Sequence, residues 1–202
     1  MSTAPHEDSA PRPRRRGAAL LHAIYLTTLE ELAHTSFEEL SFDKIATKAG
    51  AGKASLYRRW SSPAELVLAA LADPVTGFAE TPDPRTGSLR DDLVAVLSGL
   101  AAALDEPQGR ALRPLLTQSS RHPELYERVF QQVVEPRQEL LLRILRAGAE
   151  RGEADPDAIT PRIAAVGPRL VIVEHVKAGT VPRSEVESIV DEVLLRLLAP
   201  RR

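Results

Sequence analysis

The chain has 202 residues, of which 43% are hydrophobic and 27% are charged, a composition typical of one or two globular domains and not of a disordered chain. It contains no cysteine, which excludes disulfide frameworks, cysteine nucleophiles and thiolate metal sites and favours a reducing compartment. Aromatic residues make up only 4% of the chain, whereas alanine and leucine are abundant. We therefore predict an all-α protein.

The formal net charge of −2 conceals an uneven distribution of basic residues. Residues 1–60 hold nine Lys and Arg against seven Asp and Glu, and the remainder holds 17 against 21. The segment from Lys44 to Trp60 carries five basic side chains and no acidic one. Such a concentration of positive charge favours a contact with nucleic acid, although an ordinary solvated face would have the same local composition.

Residues 1–16 are predicted to form a disordered basic tail, because three prolines interrupt them and no apolar residue larger than alanine follows Met1. The apolar run from Ala18 to Leu29 resembles a secretion signal, but His22 lies inside it and no cleavage site ends it. No uncharged apolar stretch is long enough to span a membrane. We expect a cytoplasmic protein.

Three helices are predicted in the N-terminal quarter of the chain. Helical spacing of apolar residues predicts the first from Arg16 to His34. Ser41 stands where an N-cap belongs, before a short helix from Phe42 to Ala49. The glycines of residues 50–52 break this helix, and another follows from Lys53 to Trp60. Two short helices joined by a glycine turn are typical of a helix-turn-helix motif, although an ordinary αα-hairpin has the same spacing.

The two short helices have one apolar and one polar face. The inward positions are Ile45, Ala46, Ala49, Leu56 and Trp60. The outward positions of the second helix could meet base edges and phosphates in a major groove, and they are Lys53, Ser55, Tyr57, Arg58 and Arg59.

The stretch from Phe37 to Trp60, FEELSFDKIATKAGAGKASLYRRW, resembles the N-terminal DNA-binding domain of the TetR (tetracycline-repressor) family. The resemblance covers residues 16–66 well and the rest loosely. It implies a homodimeric transcription regulator, usually a repressor, that a small molecule releases from a palindromic DNA operator. The matching positions are Ile45, Ala46, Ala49, Gly50, Lys53, Leu56, Tyr57 and Trp60.

The resemblance also implies roles for individual residues. Ser41, Thr47 and Lys48 would hold phosphates, Tyr57 would brace one through its hydroxyl, and the side chains facing the groove would be those of Lys53, Ser55 and Arg58.

The chain departs from the family pattern at two places. Ser36 replaces a usual glycine, and Pro63 replaces a lysine that often contacts phosphate, so that contact is expected to be absent. Ser62, Pro63 and Glu65 nevertheless form a helix start, with Ser62 as the cap and Glu65 completing a capping box. We assign residues 17–62 to the DNA-binding domain and residues 63–202 to a larger helical domain for ligand binding and dimerisation.

The C-terminal part is predicted to consist of further helices. A loop from Asp73 to Gly87 precedes a helix with an apolar stripe over residues 89–104, and helices follow over residues 108–120, from 123, and over 138–150. Pro136 should kink or split one of them. A helix from Asp155 to about Lys177 should bend at residues 167–168.

The last helix has the most regular apolar pattern, which either the preceding helices or a second copy of the chain could cover. The resemblance favours the second copy, because members of the family dimerise through their last two long helices. The predicted dimer interface consists of Val186, Ile189, Val190, Val193, Leu194 and Leu197.

No catalytic or metal motif is found among the five histidines, and no phosphate-binding glycine loop or nucleophile elbow occurs. We expect no cofactor and no enzymatic activity. An all-α enzyme with an accessory DNA-binding module and an architectural DNA binder without a ligand remain the alternatives. Polar residues in apolar helical contexts could orient a small molecule, and they are Arg113, Gln118, His122, Tyr126, Arg169 and His175.

Overall fold

A computed structural model describes residues 17–78, 81–117 and 120–200, and within these ranges the chain is helical and contains no β-strand. The tail predicted for residues 1–16 lies outside them. The first helices are α1 (Ala18–His34), α2 (Phe42–Ala49), α3 (Lys53–Arg59) and α4 (Pro63–Leu71), with a 3-10 turn (Phe37–Glu39) between α1 and α2. This order agrees with the predicted three-helix N-terminal unit.

The remaining helices form a larger bundle. They are α5 (Leu89–Asp105), α6 (Pro107–Thr117), α7 (Pro123–Val129), α8 (Glu135–Glu150), α9 (Pro161–Ala164), α10 (Val166–Ala178), α11 (Arg183–Ser188) and α12 (Leu195–Leu197). A π-helical segment (Phe130–Val134) joins α7 to α8, and another (Ile189–Leu194) joins α11 to α12.

Two serines start helices as the sequence predicts. The Ser41 hydroxyl accepts a hydrogen bond from the Lys44 N–H at 3.3 Å, and the Ser62 hydroxyl accepts one from the Glu65 N–H at the same distance. The predicted capping box at α4 is incomplete, because the Glu65 carboxylate pairs with Arg128 on α7.

Pro136 does not split its helix with a loop. The π-helical segment directly precedes α8, and the Arg137 guanidinium donates a hydrogen bond to the Val133 carbonyl at 2.5 Å. Arg137 also lies 5.0 Å from the centre of the Phe78 ring. Burial lowers the pKa of Arg137 to about 10. The chain therefore stays helical from α7 into α8, although Pro136 removes a backbone donor there.

The helix predicted from Asp155 to Lys177 is divided. A 3-10 turn (Pro156–Ala158) comes first, the Thr160 hydroxyl caps α9, and α10 begins at Val166. The interruption thus lies just before the predicted bend, and it places Pro168 in the first turn of α10, where a missing N–H costs no helical hydrogen bond.

The loop after α4 is anchored at its start. The Asp73 carboxylate accepts hydrogen bonds from the Val75 N–H at 3.0 Å and from the N–H and hydroxyl of Thr76, both at 2.9 Å. Burial of Asp73 alone would raise its pKa, but the hydrogen bonds from Thr76 and Val75 outweigh it and hold the pKa below the ordinary value of 3.8. The loop therefore leaves α4 in a defined direction.

Buried apolar side chains form two clusters. The first cluster joins α1, α2, α3 and α4 to α6 and α7, which contribute Ala111, Leu112 and Leu125 among others. The second cluster joins α5 to α8, α9, α10 and the C-terminal segment of residues 183–198. The predicted DNA-binding domain of residues 17–62 therefore shares its core with α4, α6 and α7.

The apolar stripe of the last helix lies mostly inside the protomer. Val186 and Val190 are fully buried, and Ile189 and Leu194 are 5% and 4% exposed, all within the second cluster. The prediction that these four side chains form a dimer interface is wrong, because they already contact the helices of their own chain. Of the six predicted residues, Val193 is half-buried and Leu197 is 45% exposed.

Candidate nucleic-acid interface

The turn between α2 and α3 depends on one glycine. Gly50 has φ 67° and ψ 32°, the left-handed conformation that favours glycine, and the Ala51 N–H then bonds the Ala46 carbonyl at 2.9 Å. The side chains predicted to face inward are all buried: Ile45, Ala46, Ala49, Leu56 and Trp60. The turn and the small alanines therefore fix α3 across α2.

The side chains predicted to contact DNA are exposed or half-buried on α2, α3 and Ser41. We call this set the reading surface, and α2 and α3 the reading helices. Lys53, Tyr57, Arg58 and Arg59 of α3 are exposed, and Ser55 is half-buried. Thr47 and Lys48 of α2 are exposed, while Ser41 is half-buried and its hydroxyl serves as the helix cap. The structure thus brings all eight predicted DNA-binding residues onto α2, α3 and the residue that precedes them.

Tyr57 is held in place although it is 62% exposed. Its ring meets the buried Phe42 ring edge-on, with the centroids 4.9 Å apart and an interplanar angle of 82°. The phenol therefore projects from the reading surface with its ring already positioned.

The lysines of the reading surface pair with carboxylates of the same chain. Lys53 Nζ lies 2.8 Å from the Asp43 carboxylate, and Lys48 pairs with Glu31 of α1. Both lysine side chains remain about 60% exposed, so phosphates can reach them. A phosphate that binds either lysine would therefore have to compete with Asp43 or Glu31.

The two arginines of α3 differ in their surroundings. The Arg59 guanidinium lies 5.4 Å from the centre of the Trp60 ring. Among the described residues, no carboxylate lies within ion-pair distance of Arg58, which is exposed. Arg58 is therefore the cation of α3 that is most available to a base edge.

The predicted ligand residues are not gathered into one site. His122 and Tyr126 line a common depression between the 3-10 turn before α2 and helices α6 and α7. Arg169 is exposed on α10, and His175 lies near the end of α10 with its Nδ1 3.5 Å from Asp105. Gln118 and the side chain of Arg113 lie outside the described residues.

A second hollow was not found from the sequence. It has only about 10 Å³ of space for a water-sized molecule, and its lining is apolar, with Leu97, Leu145, Ile163, Pro168 and Leu198 among the residues. Apolar lining residues give the same helical periodicity as solid core, so the sequence contains no signal that separates the two.

Two ion pairs join α4 and the 3-10 turn before α2 to α7 and to His122, which precedes α7. Arg128 binds Glu65 of α4 through two hydrogen bonds of 2.6 and 3.2 Å, and this hydrogen bonding lowers the pKa of Glu65. His122 Nε2 lies 2.9 Å from the Glu38 carboxylate in the 3-10 turn, and their hydrogen bond lowers the pKa of Glu38. Both ion pairs link residues that are far apart in the sequence, so local sequence patterns cannot reveal them.

Within the described ranges, no three His, Asp or Glu side chains are grouped in a way that could hold a metal ion. No helix there is both long and apolar enough to cross a membrane.

Comparison with known sequences and structures places these features in a family. The family model described as bacterial regulatory proteins, tetR family, matches residues 24–70, and that of the tetracyclin repressor-like C-terminal domain matches residues 83–193. The first match spans the reading helices and α4. The second spans most of the larger bundle.

Individual relatives agree with the family models. An uncharacterised HTH-type transcriptional regulator of Mycobacterium tuberculosis is 33% identical over 173 residues, which cover 85% of this chain and 84% of that protein. The DNA-binding transcriptional repressor TetR of Mycobacteroides abscessus is 29% identical over 186 residues, covering 92% and 97%. The crystal structure of the TetR-family transcription regulator SCO0332 has a TM-score of 0.65 at 25% identity, covering 91% and 98%. The resemblance seen in the residues is confirmed, and the chain belongs to the TetR family of helix-turn-helix transcriptional regulators.

Proposed function

We propose that the protein is a homodimeric repressor that binds a palindromic DNA operator through α2 and α3 and leaves it when a small molecule binds. The observation that carries this proposal is the reading surface, where the left-handed turn at Gly50 presents exposed basic and aromatic side chains free of acidic residues between Lys44 and Trp60. Its activity is binding and not catalysis, and contact with the chromosome would place it in the cytoplasm.

Sequence recognition is assigned to Arg58, because an unpaired guanidinium can bond guanine O6 and N7 in the major groove. Selection of genomic DNA fragments by the pure protein should yield a palindromic site. Arg58→Ala should then relax the preference at one base position of each half-site by ~1–3 kcal/mol, whereas Lys48→Ala should weaken binding about equally for all sequences. Undiminished affinity of a variant that lacks residues 37–60 would refute the proposal.

Dimerisation is assigned to the outer faces of α10 and the last helix. Val173 and Val176 are 59% and 52% exposed, and Leu197 is 45% exposed, so these side chains can contact a second copy without any change in the protomer's core. Light scattering should give twice the chain mass of 22.0 kDa. The pair Val173→Glu and Val176→Glu should give folded monomers, and Val75→Glu on an exposed loop should not. A wild-type monomer at micromolar concentration would contradict the dimer.

Release by a ligand is inferred from linkage. The two copies of α3 in a dimer bind adjacent half-sites only when they lie about 34 Å apart, so a ligand that favours another separation binds the DNA-free form more tightly. A coupling of about 1–3 kcal/mol would change operator affinity roughly 5–150-fold, and DNA would weaken ligand binding by the same factor. The α4 helix is the proposed lever, since it follows α3 and Arg128 ties it to α7.

The lever can be tested without knowledge of the ligand. The chain has no cysteine, so Ala54→Cys at an exposed position of α3 accepts one spin label per protomer. Operator DNA should narrow and shift the distribution of distances between the two labels. Identical distributions with and without DNA would rule out control through the separation of the reading helices.

A further inference from the structure

One carboxylate lies beside the lysines of the reading surface. From Ser41 to Trp60 the chain has five basic residues, and Asp43 is the only acidic one. The Asp43 carboxylate lies 2.8 Å from Nζ of Lys53, the first residue of α3. The side chains of Lys53 and Asp43 are 59% and 54% exposed, so DNA can reach both of them. A negative charge therefore stands among the cations that are proposed to bind DNA.

Asp43 shares its surroundings with two predicted DNA contacts. Thr47 lies one turn further along the same face of α2, and its hydroxyl donates a hydrogen bond to the Asp43 carbonyl at 2.8 Å. Lys53 opens α3, and the N-terminal residues of the second helix of a helix-turn-helix motif are those that contact base edges. A carboxylate within hydrogen-bond distance of Lys53 would therefore lie close to the base edges when α3 enters the major groove.

A carboxylate at this place finds few favourable partners on DNA. An ionised carboxylate only accepts hydrogen bonds. Phosphate oxygens, the keto oxygens of guanine and thymine and the purine N7 atoms are acceptors as well, so they leave it without a bond. The hydrogen-bond donors in the major groove are the exocyclic amino groups, N4 of cytosine and N6 of adenine. The base groups that Asp43 can bind are therefore these amino groups.

We propose that Asp43 determines part of the sequence specificity by accepting a hydrogen bond from an exocyclic amino group, cytosine N4 or adenine N6, in each half-site. The inference rests on the proposed function, because it requires α2 and α3 to bind DNA. Arg58 donates to a guanine edge, whereas Asp43 accepts from an amino group, so the two residues select different features of the operator. A base pair that turns a keto oxygen toward Asp43 places two acceptors against each other and is rejected.

The ion pair with Lys53 widens the difference between the operator and other DNA. Both side chains are more than half exposed, so the pair adds little to stability and Lys53 can leave it for DNA. On a matching site, Asp43 exchanges the ammonium for a base amino group and stays bonded. On other DNA, the same movement of Lys53 leaves the carboxylate unpaired near the phosphates. Asp43 therefore lowers the affinity for non-matching sequences more than the affinity for the operator.

The test begins with selection of duplexes from a random-sequence library by the full chain, followed by anisotropy measurements on the selected duplex. Wild-type protein and the control Glu39→Gln, which removes an exposed carboxylate from the turn before α2, should select the same palindrome. Asp43→Ala should lose the preference at one base pair of each half-site. At that base pair, pyrimidin-2-one in place of cytosine, or purine in place of adenine, removes only the amino group. Its removal should weaken wild-type binding roughly fivefold or more and leave Asp43→Ala unaffected, and the analogue that has this effect identifies the base.

The inference is overturned if Asp43→Ala retains every base preference of the wild type, even if it binds all DNA more tightly, or if loss of the amino group weakens both proteins equally. In either case, a palindrome selected by the wild type would leave the proposed function standing. A wild-type protein that selects no sequence would reject both. Circular dichroism checks that each variant is folded, which we expect because the Asp43 side chain is exposed.

Discussion

The first buried cluster predicts that a truncation in α6 destabilises the reading helices, although these lie much earlier in the chain. Leu112 is 5% exposed and belongs to the cluster that contains Leu56 and Trp60. Leu112→Ala removes three carbon atoms, each worth ~0.8 kcal/mol of transfer free energy, and leaves a cavity. We expect the free energy of unfolding to fall by about 2–4 kcal/mol, which for a chain of this size lowers the Tm by roughly 4–16 °C.

Trp60 reports on this cluster, because it is the single tryptophan, is 8% exposed and lies 6.0 Å from the Tyr25 ring. Trp60 fluorescence during urea unfolding of Leu112→Ala should therefore show the full expected decrease in the free energy of unfolding. The control Leu145→Ala truncates an equally buried leucine of the second cluster. All samples need one protein concentration, since the stability of a dimer depends on it. A Trp60 midpoint unchanged by Leu112→Ala would refute the shared core.

Three further predictions concern single contacts. Asp73→Asn should make folding less sensitive to acid. The depressed pKa of Asp73 adds stability that is present well above pH 3.8 and disappears as the pH falls through the folded-state pKa. Urea titrations at several pH values measure this loss of stability. Ser62→Ala removes the cap of α4 and should cost about 1 kcal/mol in thermal unfolding, with Ser61→Ala, next to the cap, close to neutral. Gly50→Ala should destabilise the protein by ~1 kcal/mol, because Gly50 has a positive φ. Gly99→Ala, in the exposed middle of α5, should stabilise the protein by a similar amount. Equal effects of the two substitutions in calorimetry would contradict this reasoning.

Local signals in the sequence identify the reading helices because their chemistry is local. A cap at Ser41, a glycine turn at Gly50 and an apolar face closed by Leu56 need only neighbouring residues to work. All three therefore appear in the structure where the pattern predicts them. The same holds for Ser62 and Pro63 at the start of α4.

The sequence-based predictions fail where a distant residue decides the outcome. Glu65 leaves its predicted capping box for Arg128, 63 positions later, because a bidentate ion pair provides two charged hydrogen bonds. The apolar stripe that contains Val190 must pack against other apolar side chains, but its periodicity does not identify the helices that provide them. Likewise, no local pattern places Glu38 beside His122.

The two lysine–carboxylate pairs of the reading surface bear on how the protein responds to ionic strength. If Lys48 and Lys53 turn to DNA phosphates in the proposed complex, the DNA would release condensed cations, but Glu31 and Asp43 would lose their partners and attract cations from solution. Part of the counterion release is thereby cancelled. The logarithm of the binding constant should then fall less steeply with salt than about 0.9 per phosphate contacted. Occupancy of the operator would thus vary less when the cell loses water and its internal salt rises.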